Sequence, residues 1–189
     1  METLSNLLRK YSFGWLVLVF LVGVLYFNVV VLPNAARVLG ETDPIDLQFF
    51  YTPEKVYAMV EAYGPEVRTQ YRDFALTGDI AYPIVYPLFF SLAISWLFKR
   101  GLPKDSRLHR LNVVPFGAGI FDVLENLAIA AMLGGYPAEP AWLAWIAAFF
   151  TMVKWLFVFA SLALILYGGF IALKRARSGP SRGATGDTL

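Results

Sequence analysis

The chain has no cysteine and a single histidine. The first absence excludes disulfides, thiolate nucleophiles, iron–sulfur clusters and zinc–thiolate sites. The second excludes a bis-histidine haem within one chain, and His109 itself falls in a basic loop, where it reads as a solvated residue rather than a ligand. Charge is also scarce. Only 16% of the residues are charged, against about 25% in ordinary soluble domains, and 58% are hydrophobic, against roughly 45–50%. No Walker motif, zinc-ligand pattern or nucleophile elbow occurs, which removes the commoner enzyme classes. No cofactor and no metal are expected, and no nucleic-acid partner.

What the chain does have is long apolar runs. Four stand out, over residues 13–32, 80–98, 113–133 and 142–173. Each is long enough to cross a hydrocarbon core of about 30 Å as a helix. Ten Tyr and five Trp supply the amphipathic rings that favour a membrane–water boundary. Arg9 and Lys10 precede the first run as they would in a signal peptide. That run is too long for a signal core, however, and Pro33-Asn34-Ala35-Ala36 is a poor cleavage site, so an uncleaved helix is expected. Pro83 and Pro87, one turn apart, predict a kink near the outer end of the second helix. The fourth run exceeds a bilayer and should tilt or protrude. The expected fold is an all-α integral membrane protein: one four-transmembrane-helix bundle over residues 1–176, with a disordered cytoplasmic tail over 177–189.

Orientation follows from the basic residues. Eleven of the sixteen lie in the N-terminus, the loop 99–112 and the tail, whereas the opposite side holds four, Arg37, Lys55, Arg68 and Arg72, together with nine acids. Basic loops are retained in the cytoplasm, so both termini are expected there, in a plasma membrane such as the inner membrane of a bacterium. The outer segment 33–78 is too long for a plain connector. Thr52-Pro53-Glu54 is a helix start, with a hydroxyl cap, proline in the first turn and an acid at the positive end of the dipole. Val56, Met59, Val60 and Tyr63 then share a face, Gly64-Pro65 interrupts, and Val67, Tyr71 and Phe74 mark a second short helix. Two amphipathic helices in the outer interface are expected, covering the bundle or gating a pocket.

The chemistry-bearing residues sit inside the third and fourth runs. Asp122, Glu125 and Asn126 are spaced to project from one helical face, and Thr151, Lys154 and Ser161 share a stripe on the next helix. Counting back from a turn near Pro137 brings Lys154 level with residues 120–122, which makes an intramembrane ion pair with Asp122 or Glu125 geometrically natural. A charge at mid-bilayer costs about 2.5–3.5 kcal/mol on insertion scales, so these groups should face inward and compensate one another. Asn28, Tyr82 and Tyr86 are the candidate further partners. Two acids against one base leave an imbalance that a retained proton would relieve. Such a cluster serves either as a site or as polar glue between helices. Lys154 lacks the surroundings of a retinal Schiff base.

No motif assigns the chain to a characterised family. Its plan of four helices, cytoplasmic ends and acids inside the bundle, with Asp46-Leu47-Gln48 after the first helix and Glu125 in the third, resembles the EXPERA group of sterol isomerases and sigma-2-type receptors. That resemblance implies acid/base chemistry on, or binding of, a lipid-like molecule. The leading expectation is a small membrane protein that binds an apolar or lipid-like ligand, or serves as a subunit of a larger membrane assembly or homo-oligomer. The alternatives are a membrane-embedded enzyme using an intramembrane carboxylate, and a proton- or ion-coupled transporter working as an oligomer. Whether the chain is an enzyme stays open on sequence alone. The orientation has a direct check: single cysteines at positions 105 and 180 should be shielded in intact cells, and one at position 138 should react. Labelling of position 105 from outside would overturn the assignment.

Overall fold

The computed structural model describes residues 2–39 and 43–178. The tail expected to be disordered lies, from residue 179 on, outside the described residues. Every described element is helical, and four helices are long and apolar enough to cross a membrane. The first is built from α2 (Gly14–Tyr26), a π turn (Phe27–Val31) and α3 (Leu32–Ala36) in one continuous rod. The others are α5 (Tyr82–Gly101), α6 (Pro115–Gly135) and α7 (Ala141–Arg177). Two further helices lie at the ends of the bundle: α1 (Glu2–Tyr11) and the kinked α4 (Pro53–Leu76).

Helices α5, α6 and α7 pack against one another, whereas α2 packs mainly on α5. The tight seam is α5 on α6. A Cβ at Gly119 would collide with the Pro83 carbonyl oxygen and come within 2.8 Å of the Pro87 ring, so only glycine lets the two backbones approach so closely. Pro83 falls in the first turn of α5, where no intrahelical donor is lost, so of the two prolines only Pro87 removes a bond from the helix interior.

The polypeptide between α3 and α5 closes one end of the bundle. Gly64 takes φ 71° and ψ 168°, a conformation open to glycine and imposed ahead of Pro65, and it divides α4 into two arms. Arg68 reaches back across the break and donates to the Val60 carbonyl (3.1 Å), which ties the two arms together. Val56, Val60 and Tyr63 on the first arm and Tyr71 on the second are buried in one cluster with Ile129 and Met132 of α6 and Ala144, Ala147 and Ala148 of α7. The small residues of α7 let α4 settle onto the hairpin, so this segment is part of the packed core.

The opposite end holds α1, which the apolar runs gave no reason to expect. Its basic last turn is tied by Lys99, whose ammonium donates to the carbonyls of Arg9 (3.0 Å) and Ser12 (2.9 Å). Buried Asn112 donates to the Ser5 carbonyl (3.1 Å) and to Ser95 (2.8 Å), which joins α1, the loop Arg107–Val113 and α5. His109 is a correction to the sequence reading: it is 2% exposed, sits edge-on to Phe98 and lies 3.0 Å from the Pro103 carbonyl, because α1 folds over the loop that would otherwise leave it in water.

The α5–α6 seam makes a stability prediction. Gly119→Ala should cost about 1–3 kcal/mol through overpacking and lower the unfolding midpoint in detergent. Gly135→Ala, at a position with open space, should stay within about 0.5 kcal/mol of the parent. Equal midpoints for the two variants would show that the seam yields freely.

Candidate functional site

Hairpin α6–α7 sets the site. Its turn spans the few residues between Gly135 and Ala141, so residues on the two helices that are equally far from it lie at equal depth. Asp122, Glu125 and Asn126 are all buried on the inner face of α6, and Thr151, Lys154 and Ser161 on that of α7. Lys154 Nζ stands 2.5 Å from Glu125 Oε2 and 3.6 Å from Asp122 Oδ1. Glu125, with no exposed surface, is therefore the closer counter-ion.

The other contacts orient this pair. Thr151 donates to Glu125 Oε1 at 2.6 Å, and the Tyr51 hydroxyl lies 3.3 Å from the same Thr151 oxygen. The one Thr151 proton is shared between the carboxylate and the Ala147 carbonyl (3.0 Å), so Tyr51 is the donor in the second bond, giving a chain Tyr51–Thr151–Glu125. Burial pushes the Tyr51 phenol well above its ordinary range, so it stays a donor. Lys154 also donates to the backbone carbonyl of Asp46 (3.2 Å). The side chain of Asp46 accepts from Tyr71 (2.7 Å), whose oxygen in turn accepts the Ile45 N–H (3.1 Å). The segment Ile45–Leu47 is thus fixed over the ammonium by α4 on one side and α7 on the other.

The remaining candidates divide. Tyr86 is buried and turns its hydroxyl toward Asp122 without a well-aligned bond. Asn126 shares the inner face of α6 but reaches away from Lys154, donating to Asp79 Oδ2 at 2.8 Å. Asn28 does not join the charged groups. It donates to Tyr82 (2.7 Å) and to the Val24 carbonyl (2.9 Å), because α2 packs mainly on α5 and meets the polar interior through Tyr82. Tyr82 accordingly serves Asn28 and stacks on Phe27 at 5.3 Å.

Four contributors were not assigned to the cluster from sequence: Asp46, Asp79, Tyr51 and Tyr71. Asp79 counts there only among the acids of the outer side, and Asp46 among those acids and in the Asp46-Leu47-Gln48 resemblance. The available signal was the apolar setting of Asp46 between Ile45 and Leu47, and the place of Asp79 at the mouth of an apolar run.

Asp46 and Asp79 also border a cavity of about 350 Å³, bounded by α3, the segment Ile45–Leu47 and the second arm of α4. Leu32, Ala35, Ala36, Leu39, Leu47 and Phe74 form its apolar walls. Asn28, Asp46, Gln70, Tyr71 and Asp79 supply its polar surface, and the Lys154 cluster lies behind Asp46. The gap exists because the rod α2–α3 has no seam with α6 or α7, so nothing fills the space beside its far end. The size and the mostly apolar lining are those of a small-molecule site.

Against known proteins, the chain matches no family, no curated relative and no solved structure. The reading of the site therefore rests on its geometry.

Coupling of the ion pair can be measured by a double-mutant cycle. Lys154→Met should cost about 3–5 kcal/mol by stranding the carboxylates, and Lys154→Met combined with Glu125→Gln should cost clearly less than the sum of the two single losses. The coupling to Asp122→Asn should be smaller, in line with the longer distance. Plain additivity with both carboxylates would refute the pairing.

Proposed function

We propose that the chain is an integral membrane protein that holds an apolar or lipid-like ligand in the cavity between α3 and α4, with the Lys154 cluster as the rigid polar floor behind it. The observation that carries this reading is the cavity itself: apolar walls, a small set of convergent polar groups, and a position beside a helix held mainly along one seam. Membrane insertion is supported by the outward faces of α2 and α7. Trp15, Leu18, Val22 and Leu25 on the first and Leu156, Phe159, Leu166 and Phe170 on the second are exposed, an apolar surface that water would not tolerate. The basic excess at the end that carries α1 favours the cytoplasm for that end, and on that orientation the cavity faces the outer half of the bilayer.

A second reading, acid/base chemistry on a lipid-like substrate, draws on the Tyr51–Thr151–Glu125 chain, which is arranged as a proton path would be. The binding reading has the better support. Glu125 is fully buried and separated from the cavity by Asp46, so no ligand in the cavity touches the carboxylate at the centre of that chain.

The test uses a long-chain alcohol bearing a photoreactive diazirine, with the protein in nanodiscs. Crosslinks should concentrate on residues 32–36 and Phe74, and Ala36→Trp, which fills the cavity, should reduce them at least about fivefold, as expected when a buried site is blocked. Even labelling of all lipid-facing positions, unchanged by Ala36→Trp, would reject the site.

A further inference from the structure

The end of the bundle opposite the cavity carries a group of cations that neither the ion pair nor the cavity uses. Lys99 and Arg100 lie in the last turn of α5, Arg9 in the last turn of α1, and Lys104 in the loop that follows α5. They converge. Lys99 Nζ donates to the carbonyls of Arg9 and Ser12, and Arg9 Nη2 donates to the Lys104 carbonyl at 3.2 Å. The Arg100 guanidinium lies 3.7 Å over the Trp96 ring and donates to the Trp96 carbonyl at 3.1 Å. That indole packs in turn on Gly14, at the start of α2.

No counter-ion answers these charges. None of the four pairs with an acid among the described residues: Asp105, next to Lys104, reaches none of them, and Glu2 is taken by Arg110. Donors are left over as well. Lys99 spends two of its three N–H groups on carbonyls, and each arginine keeps most of its fork. A guanidinium laid flat on an indole, with one edge held by a carbonyl, presents its other edge for parallel bonds to a phosphate. Retention of a basic end in the cytoplasm needs only a number of charges, not their convergence. The surroundings set the depth. Phe13, its ring 5.8 Å from Lys99 Nζ, and Trp15 are exposed where the first rod begins, as aromatic residues are at a membrane boundary.

We infer that Arg9, Lys99, Arg100 and Lys104 hold the headgroup of an anionic phospholipid, with its acyl chains against Phe13 and Trp15. This rests on membrane insertion, as the binding reading does, and not on the cavity. The phosphate takes the unspent donors, its charge relieves the mutual repulsion of four cations, and the chains cover the exposed rings. A zwitterionic headgroup brings its own ammonium into the same cluster and gains less. Free phosphate neutralises the charge and leaves the aromatic surface bare.

The experiment measures equilibrium retention of radiolabelled phosphatidylglycerol, and of phosphatidylcholine with the same chains, by the full-length protein on a resin in dodecyl maltoside. Salt is set at about 0.15 M, where exposed charges more than about 8 Å apart are largely screened. Phosphatidylglycerol should saturate one site per chain and bind at least about tenfold more tightly than phosphatidylcholine. Arg100→Gln combined with Lys104→Gln should weaken phosphatidylglycerol at least about tenfold, at about fivefold for each basic residue near the surface, and leave phosphatidylcholine within about twofold. Both side chains are exposed; Arg100 bonds only within its own helical turn, and Lys104 donates to no described residue, so the pair leaves the fold intact. Lys174→Gln combined with Arg177→Gln, an equal loss of charge in the last turn of α7, should change phosphatidylglycerol binding by less than about twofold. Equal weakening by the two pairs would reduce the cluster to a diffuse positive field and overturn the site. Equal retention of the two lipids would overturn headgroup recognition and leave the cavity reading standing. Displacement of phosphatidylglycerol by inorganic phosphate at equal concentration would show that the chains contribute nothing, and the phospholipid would fall. Release of the protein from vesicles by alkaline carbonate would remove insertion itself, and both readings with it.

Discussion

The contact between Lys154 and Glu125 is the constraint from which the rest of the structure follows. Neither charge is tolerable alone in a medium without water, and each removes the cost of the other only if α6 and α7 hold one register. A fixed register presents Thr151 to Glu125 Oε1 and places the ammonium beneath Asp46. The segment Ile45–Leu47 then has a reason to run over the hairpin, and α4 follows it down onto the small residues of α7. The sequence of dependence runs from a charge pair to a helix pair to a cap.

The cap does more than shield. Through the Asp46 carbonyl, the backbone of a connecting segment becomes a ligand of the buried ammonium, so a stretch of irregular chain is as well determined as a helix. Irregular backbone needs its polar groups satisfied by protein or by the contents of a cavity. Here both apply: Tyr71 engages the Ile45 N–H and the Asp46 carboxylate on one side, and the cavity opens on the other.

Much of this was legible in the residues. A lysine and two carboxylates in adjacent apolar runs had few places to go, and counting from Pro137 gave the depth at which they meet. Thr52-Pro53-Glu54 and Gly64-Pro65 marked where α4 begins and breaks, since capping and pre-proline sterics are local effects. What stayed hidden depended on contacts distant in sequence. Nothing near Asp46 indicates that its carbonyl will meet a side chain more than a hundred residues later, and nothing near His109 announces that α1 will cover it. Asp79 counted only among the acids of the outer side, because nothing near it in the sequence announces that Asn126 will donate to it. Asn28 was drawn toward the charges for the converse reason: membership of an apolar run says that a polar residue needs a partner, not which helix provides it.

The seam between α2 and α5 separates the charged centre from the cavity. The charged centre is framed by α5, α6, α7 and the cap, and the first rod contributes no group to it. The cavity, by contrast, owes one whole wall to that rod beyond its π turn. A π turn carries one more residue than an α turn, so it rotates the faces on either side of it relative to each other, and Gly23 can follow Val85 while Leu32 and Ala36 turn toward the cavity. Substitutions along α3 can therefore reshape what is accommodated without passing through an unstable intermediate. In a lineage of such proteins, the shape of the cavity could drift on one helix while the foundation stayed fixed on the others.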